Sequence, residues 1–332
     1  MLRLEADAPD SPPGLPDTDT DVSREAAELC TLGEPLPLAE RSISVLRVRT
    51  GAFTLNLSVN TLRRTDRLVV TFTGARSAAK EAANSRWPMF ERRGWDALFD
   101  APILALSDPQ TELDWDADLP RVGLYIGRFA DDLVPELLAL VDAVCDRLAV
   151  PRDRVVFYGA CAGATAALLV ASRREAATGV IAVGPWLRPD KFREPIVAQA
   201  ARMAGGSVED WERQGREQPW RQNPLVAVRD AIQAGRPLRV VVAQNLKERV
   251  TLHRHFPGLW RRFDIDPDGG VSPDGRVMAM LYESDDESQL HEPAALSRAL
   301  VRQAYAFFDA PLVERPKKAR KPRPAADAGP AP

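Results

Sequence analysis

Apolar positions along the chain fall into two rhythms. Residues 42–48 (SISVLRV) and 53–59 (FTLNLSV) alternate with period two around Thr50-Gly51, which predicts an antiparallel hairpin. Residues 67–73 (RLVVTFT) form an apolar run of the kind found in strands buried on both faces, 154–158 (RVVFY) read again as a buried strand, and 179–183 (GVIAV), 238–243 (LRVVVA) and 277–282 (VMAMLY) as three more strands. Residues 102–106 (PILAL) add a short strand. Between these the rhythm changes. Leu133, Leu137, Leu138, Val141, Val144, Cys145 and Leu148 recur at spacings of three and four, predicting a helix that Pro151 stops. Gly163 to Ser172 reads as a helix of small residues, and a last helix runs from Pro293 to Phe308 with Leu296, Leu300, Ala304 and Phe307 on one face. Strands interleaved with helices imply parallel βαβ units. The expected fold is therefore α/β, with a doubly wound, mainly parallel sheet and an N-terminal β-hairpin. Residues 185–222 break the rhythm and carry Trp186, Trp211 and Trp220. A helical insertion there would cover the carboxyl edge of the sheet, where ligands bind in such folds.

Composition then sets boundaries. Residues 7–22 are rich in Pro and Asp and offer almost nothing to bury, so 1–24 is expected as a disordered tail, followed by a β extension over 25–65. One large domain is expected over 66–310, and a basic, Pro-rich disordered tail over 315–332. Lys317, Lys318, Arg320, Lys321 and Arg323 in that tail read first as solvated charge. No stretch of about 18 apolar residues exists, and the first residues lack the pattern of a signal peptide. Only three cysteines occur, Cys30, Cys145 and Cys161, so a cytoplasmic chain with reduced thiols is expected. A net charge of -3 supplies no basic field for gripping nucleic acid.

The most informative residues are Gly159-Ala160-Cys161-Ala162-Gly163, which follow a buried strand directly and open a helix. A side chain on so tight a strand-to-helix turn is lifted above the sheet, and its neighbours must be small. Cys161 occupies the nucleophile position of that arrangement, where the first helical N–H groups favour a thiolate. The N–H of Ala162 would then face the oxyanion of an acyl-transfer intermediate, and the loop Thr73-Gly74-Ala75 is placed to give the second donor through Ala75. The alternative is a turn kept small only for close packing, with Cys161 as a small hydrophobe. A dinucleotide loop is not met, because Cys161 and Ala164 stand where glycine is required, and no Walker pattern occurs; no cofactor is expected.

Acyl transfer by a thiol needs an imidazole. The chain has only His253, His255 and His291. His291 follows the strand 277–282 and precedes the last helix, the place of the base in chains ordered nucleophile, acid, histidine. The acid should follow the strand 238–243. Glu248 is the first carboxylate there, with Asp285 and Asp286 in reserve. His253 and His255 have too few ligand types around them for zinc, and they read as structural or as lining a pocket rim; no metal is expected.

With these residues in place the chain resembles an α/β-hydrolase over roughly residues 66–308. The cysteine turn is similar to that of dienelactone-hydrolase-like enzymes. The wider pattern resembles a bacterial group related to the accessory secretion protein Asp-two and to hydrolase-like proteins encoded with glycosyltransferases. It is carried by Pro88-Met89-Phe90-Glu91-Arg92, Leu106-Ser107-Asp108-Pro109, Tyr125-Ile126-Gly127, residues 157–163 (FYGACAG) and Gln244-Asn245. This resemblance implies esterase or acyltransferase chemistry on a small-molecule, glycan or glycoprotein ester, without cofactor, and a possible glycosyltransferase partner. Two places depart from the group: Cys161 with Gly163-Ala164 stands for Ser followed by Gly-Gly, and Glu248 with Thr251 for an Asp followed by His. The competing expectation is a non-catalytic scaffold for a glycosyltransferase or secretion partner.

Overall fold

The computed structural model describes residues 27–75, 90–112, 122–188, 191–192, 194–284 and 294–312. Its centre is a ten-stranded sheet in the order β1-β2-β3-β5-β4-β6-β7-β8-β10-β9. The strands are β1 Glu28–Thr31, β2 Ile43–Arg49, β3 Thr54–Asn60, β4 Leu68–Phe72, β5 Ile103–Ser107, β6 Val155–Ala160, β7 Thr178–Val183, β8 Leu238–Asn245, β9 Gly270–Val271 and β10 Val277–Tyr282. From β5 through β4, β6, β7 and β8 to β10 every neighbour is parallel, so six carboxyl ends share one edge. The hairpin β2–β3 is antiparallel and joins this core through the antiparallel pair β3–β5. The sheet is doubly wound and mainly parallel, as the alternation of apolar runs and helical stripes requires. Two pieces carry no such signal in the sequence: β1, which pairs parallel to β2, and the two-residue β9. Both are too short to show a period.

Every residue of β4, β5, β6, β7, β8 and β10 is buried, because helices cover both faces. Alternate side chains go to opposite cores. Val155 and Phe157 of β6 join one apolar cluster, while Val156, Tyr158 and Ala160 join the other. The first face is closed by α1 (Leu133–Leu148), α2 (Ala162–Ala171), α5 (Pro224–Gln233) and α6 (Arg249–Phe263). The second is closed chiefly by α7 (Ala294–Asp309), through Leu296, Leu300, Ala304 and Phe307. The segment from β7 to α5 adds α3 (Glu194–Met203), α4 (Val208–Glu217) and a 3₁₀ turn at Pro219–Arg221. With Val122, Leu124 and Ile126 these helices bury a third apolar cluster that includes Ala162, so the insertion is helical and lies against the start of α2. Among the described residues no helix is long and apolar enough to cross a membrane.

Candidate active site

Cys161 is the residue between β6 and α2, with φ 53 and ψ -121. Other non-glycine residues with positive φ, such as Asp100, Ala149 and Asp264, are left-handed helix caps with ψ between 35 and 47. Cys161 belongs to no such cap. A conformation of this kind costs about 1–3 kcal/mol and persists only where the surroundings enforce it. They do so here by contact. A Cβ on Gly159 would lie 2.3 Å from the carbonyl carbon of Gly163, and one on Gly163 would lie 2.6 Å from the Phe72 carbonyl oxygen. The two glycines let β6, β4 and the first turn of α2 approach to backbone contact. The Cys161 N–H donates to the Val183 carbonyl at the end of β7 (2.9 Å), which holds the turn from the other side. Ala160 and Ala162 are buried and Cys161 is half-exposed, so the fold lifts the thiol-bearing residue out of an otherwise closed turn. Its side chain caps no helix N–H, and the first N–H groups of α2 have no intrahelical acceptor.

The loop after β4 packs directly on this turn: a Cβ on Gly74 would meet the Ala160 carbonyl oxygen at 3.1 Å. Its donors are allotted. Thr73 N–H donates to the Tyr125 hydroxyl (3.0 Å), which itself donates to the Leu106 carbonyl (2.8 Å). Gly74 N–H donates to Glu91 Oε2 (2.9 Å). Among Thr73, Gly74 and Ala75, the first two N–H groups are thus engaged, and Ala75 is the expected second oxyanion donor. Glu91 is nearly buried and is neutralised by Arg92, whose Nη1 donates to Glu91 Oε2 (2.6 Å) and also reaches the Phe72 carbonyl (3.4 Å). The Arg92 guanidinium lies over the rings of Trp95 and Tyr158. Arg92 and Tyr125, like Cys161, have positive φ, so unusual backbone clusters around one short loop. Sequence reasoning gave Glu91 and Arg92 no role. No local signal exists, since the contact joins Gly74 to a residue 17 positions on.

Glu248 sits at the start of α6, three residues beyond β8. It is half-buried, while its neighbours Lys247 and Arg249 are exposed. It accepts from Thr251 Oγ1 (2.6 Å) and from Gln244 Nε2 (3.2 Å). Thr251, which stands where the resembled group carries histidine, thus serves as a donor to the carboxylate. His291, Asp285 and Asp286 lie outside the described residues. The chain toward them is anchored at its start. Asn245 Nδ2 donates to the Ser284 carbonyl (2.9 Å), and its Oδ1 accepts from the N–H groups of Ser284 (3.2 Å) and Lys247 (3.0 Å). One buried amide therefore ties the turn that bears Glu248 to the segment that leads to His291. Each such bond is worth about 1 kcal/mol. His253 is exposed. His255 is buried, with Nδ1 accepting from Arg188 N–H (3.2 Å) and its ring beside Phe192. Among the described residues no group of three or more His, Cys, Asp or Glu side chains is disposed to hold a metal ion.

A parallel core flanked by the antiparallel β2–β3 pair, with a strained residue between a central strand and its helix, defines the α/β-hydrolase fold, and this chain has it. A solved structure agrees in fold. A fluorophosphonate-binding serine hydrolase of Staphylococcus aureus, FphF, matches 81% of this chain and 99% of its own at 9% identity, with a TM-score of 0.50. The capsule O-acetyltransferase of Neisseria meningitidis serogroup A matches 76% of this chain and 93% of its own at 12% identity, with a TM-score of 0.48. No family model matches the chain. No curated protein matches it in sequence either.

Proposed function

We propose that the protein is an acyl hydrolase or acyltransferase whose nucleophile is the Cys161 thiolate. The observation that carries this reading is the conformation of Cys161, held at φ 53 between β6 and α2 where Gly159 and Gly163 leave no room for a Cβ without a backbone shift. That conformation supports reading the turn as a nucleophile elbow. In the proposed reaction Cys161 attacks the carbonyl carbon of an ester, and the N–H groups of Ala162 and Ala75 stabilise the oxyanion. His291 takes the thiol proton and passes it to the departing alkoxide; the thioester then goes to water or to a sugar hydroxyl. Glu248 holds the imidazole in the required tautomer. Its placement supports this: it is turned inward at the carboxyl edge, on a turn that Asn245 links to the segment leading to His291. A glycan or glycoprotein ester is the proposed substrate class and a glycosyltransferase the proposed partner, both on the resemblance alone.

Labelling with iodoacetamide across pH tests the reading, because the three thiols differ. Burial pushes Cys145 up to about 11. Burial, with Glu28 and Glu34 nearby, also raises Cys30. A raised thiol pKa means less thiolate at a given pH, so both should be nearly silent at pH 7. Cys161 should label there, and His291→Ala should slow it. Equal, slow labelling of all three, unchanged by His291→Ala, would leave the fold as a non-catalytic scaffold for a partner.

A further inference from the structure

The insertion begins beside the reactive turn. Thr165 lies one helical turn beyond Cys161, and its hydroxyl oxygen sits 3.4 Å from the Cys161 carbonyl and 3.1 Å from the Trp186 carbonyl. The Trp186 N–H donates back to the same oxygen at 3.0 Å. One hydroxyl thus locks the Trp186 main chain against the first turn of α2. The Trp186 ring meets Phe192 edge-on with centroids 5.5 Å apart, and Phe192 meets the His255 ring at 6.2 Å. His255 is itself fixed by Arg188 N–H. Trp186, Phe192, Ile196 and Val197 pack, together with Ala75, on the apolar cluster that contains Ala162. Both proposed oxyanion donors therefore border one aromatic surface.

Part of that surface stays open. Trp211, in the same cluster, is 3% exposed, whereas Trp186 and Phe192 remain half-buried. A half-buried Trp–Phe pair whose main chain is tied to the first turn of α2 retains apolar area for a ligand to cover, and rings prefer such edge and face contacts. We propose that Trp186 and Phe192 form the acyl-binding wall of the site, and that the substrate carries an apolar acyl group, aryl or medium-chain, rather than acetyl. This use of the wall rests on the acyl-transfer reading above, but the wall itself can be probed without turnover.

The probe is a pair of alkylating reagents, chloroacetamide and N-benzyl chloroacetamide, applied to the full chain. In each the thiolate displaces chloride, forming the C–S bond as the C–Cl bond breaks. Rates at Cys161 are read by peptide mass spectrometry and divided by the rate of each reagent with glutathione. The benzyl reagent should be favoured about tenfold, the gain expected for one well-placed ring contact. Trp186→Ala should bring that ratio to within about twofold, and Trp186→Phe should keep most of it. Equal normalised rates for the two reagents on the unaltered protein overturn the proposal even if Trp186→Ala fails to fold, as does a preference that survives Trp186→Ala. Labelling of Cys161 only at ordinary thiol pH, insensitive to His291→Ala, would defeat the acyl-transfer reading and leave the benzyl preference standing.

Discussion

The two edges of the parallel sheet make an instructive pair. At the amino edge a broad depression is lined by Arg67, Arg154, Arg239, Phe308 and Asp309. Its charges answer one another. Arg67 donates to both carboxylate oxygens of Asp309 at 3.0 Å, Arg154 reaches the same carboxylate at 3.2 Å, and the Arg67 guanidinium lies 4.1 Å from the centre of the Tyr305 ring. Desolvation lifts Tyr305 well above the ordinary phenol range, so it remains a neutral packing group. At the carboxyl edge the backbone is unusual at Arg92, Tyr125 and Cys161, and helix α2 begins there. Concavity and charge can form at any edge of a sheet. Strain that the packing maintains, aimed at groups able to react, sets one edge apart.

The largest effect that would sharpen this contrast is at the thiol. Cys161→Ala should lower hydrolysis of an activated aryl ester by about a thousandfold or more. A loss below tenfold in steady-state assays would break the contrast. Next is Gly163→Ala, which drives a methyl group into the Phe72 carbonyl; a cost of about 2–4 kcal/mol is expected, read as a clear fall in thermal midpoint. Gly235→Ala, at φ 80 with open space around it, should cost only about 1 kcal/mol by the same measurement.

A subtler effect concerns the pair that holds the loop after β4. Arg92→Met takes a positive charge away from the Glu91 carboxylate near the proposed oxyanion donors, and kcat should fall about tenfold to a hundredfold with KM little changed. Adding Glu91→Gln removes the offending charge and should restore much of that loss. A merely structural pair would show no such rescue. The smallest effect belongs to the amino edge: Arg154→Ala breaks solvent-exposed pairs with Asp66 and Asp309, and should change stability by about 0.5 kcal/mol or less and activity not at all.

Much of the fold follows from local pattern. The six buried strands could be read because each is a mostly apolar run, and α1 because Leu133, Leu137, Val141 and Val144 repeat at helical spacing. The glycines and alanines around Cys161 could also be read as a tight turn, since small side chains are the only ones such a turn admits. The supporting groups could not. Nothing near Glu91 tells that its carboxylate meets Gly74, and nothing near Asn245 tells that its amide meets Ser284, 39 residues away.

The order of apolar runs and helical stripes by itself determined a wound parallel sheet, because burying every run on both faces demands helices on both sides. It also determined which residue stands at the turn after β6. Tertiary structure alone decided that Thr165 ties Trp186 to that turn, that Arg92 neutralises the carboxylate below the loop after β4, and that the charged depression at the opposite edge is occupied by its own ion pairs. Those outcomes depend on distances between residues far apart in the chain. Such distances arise only when the sheet has brought its strand ends together.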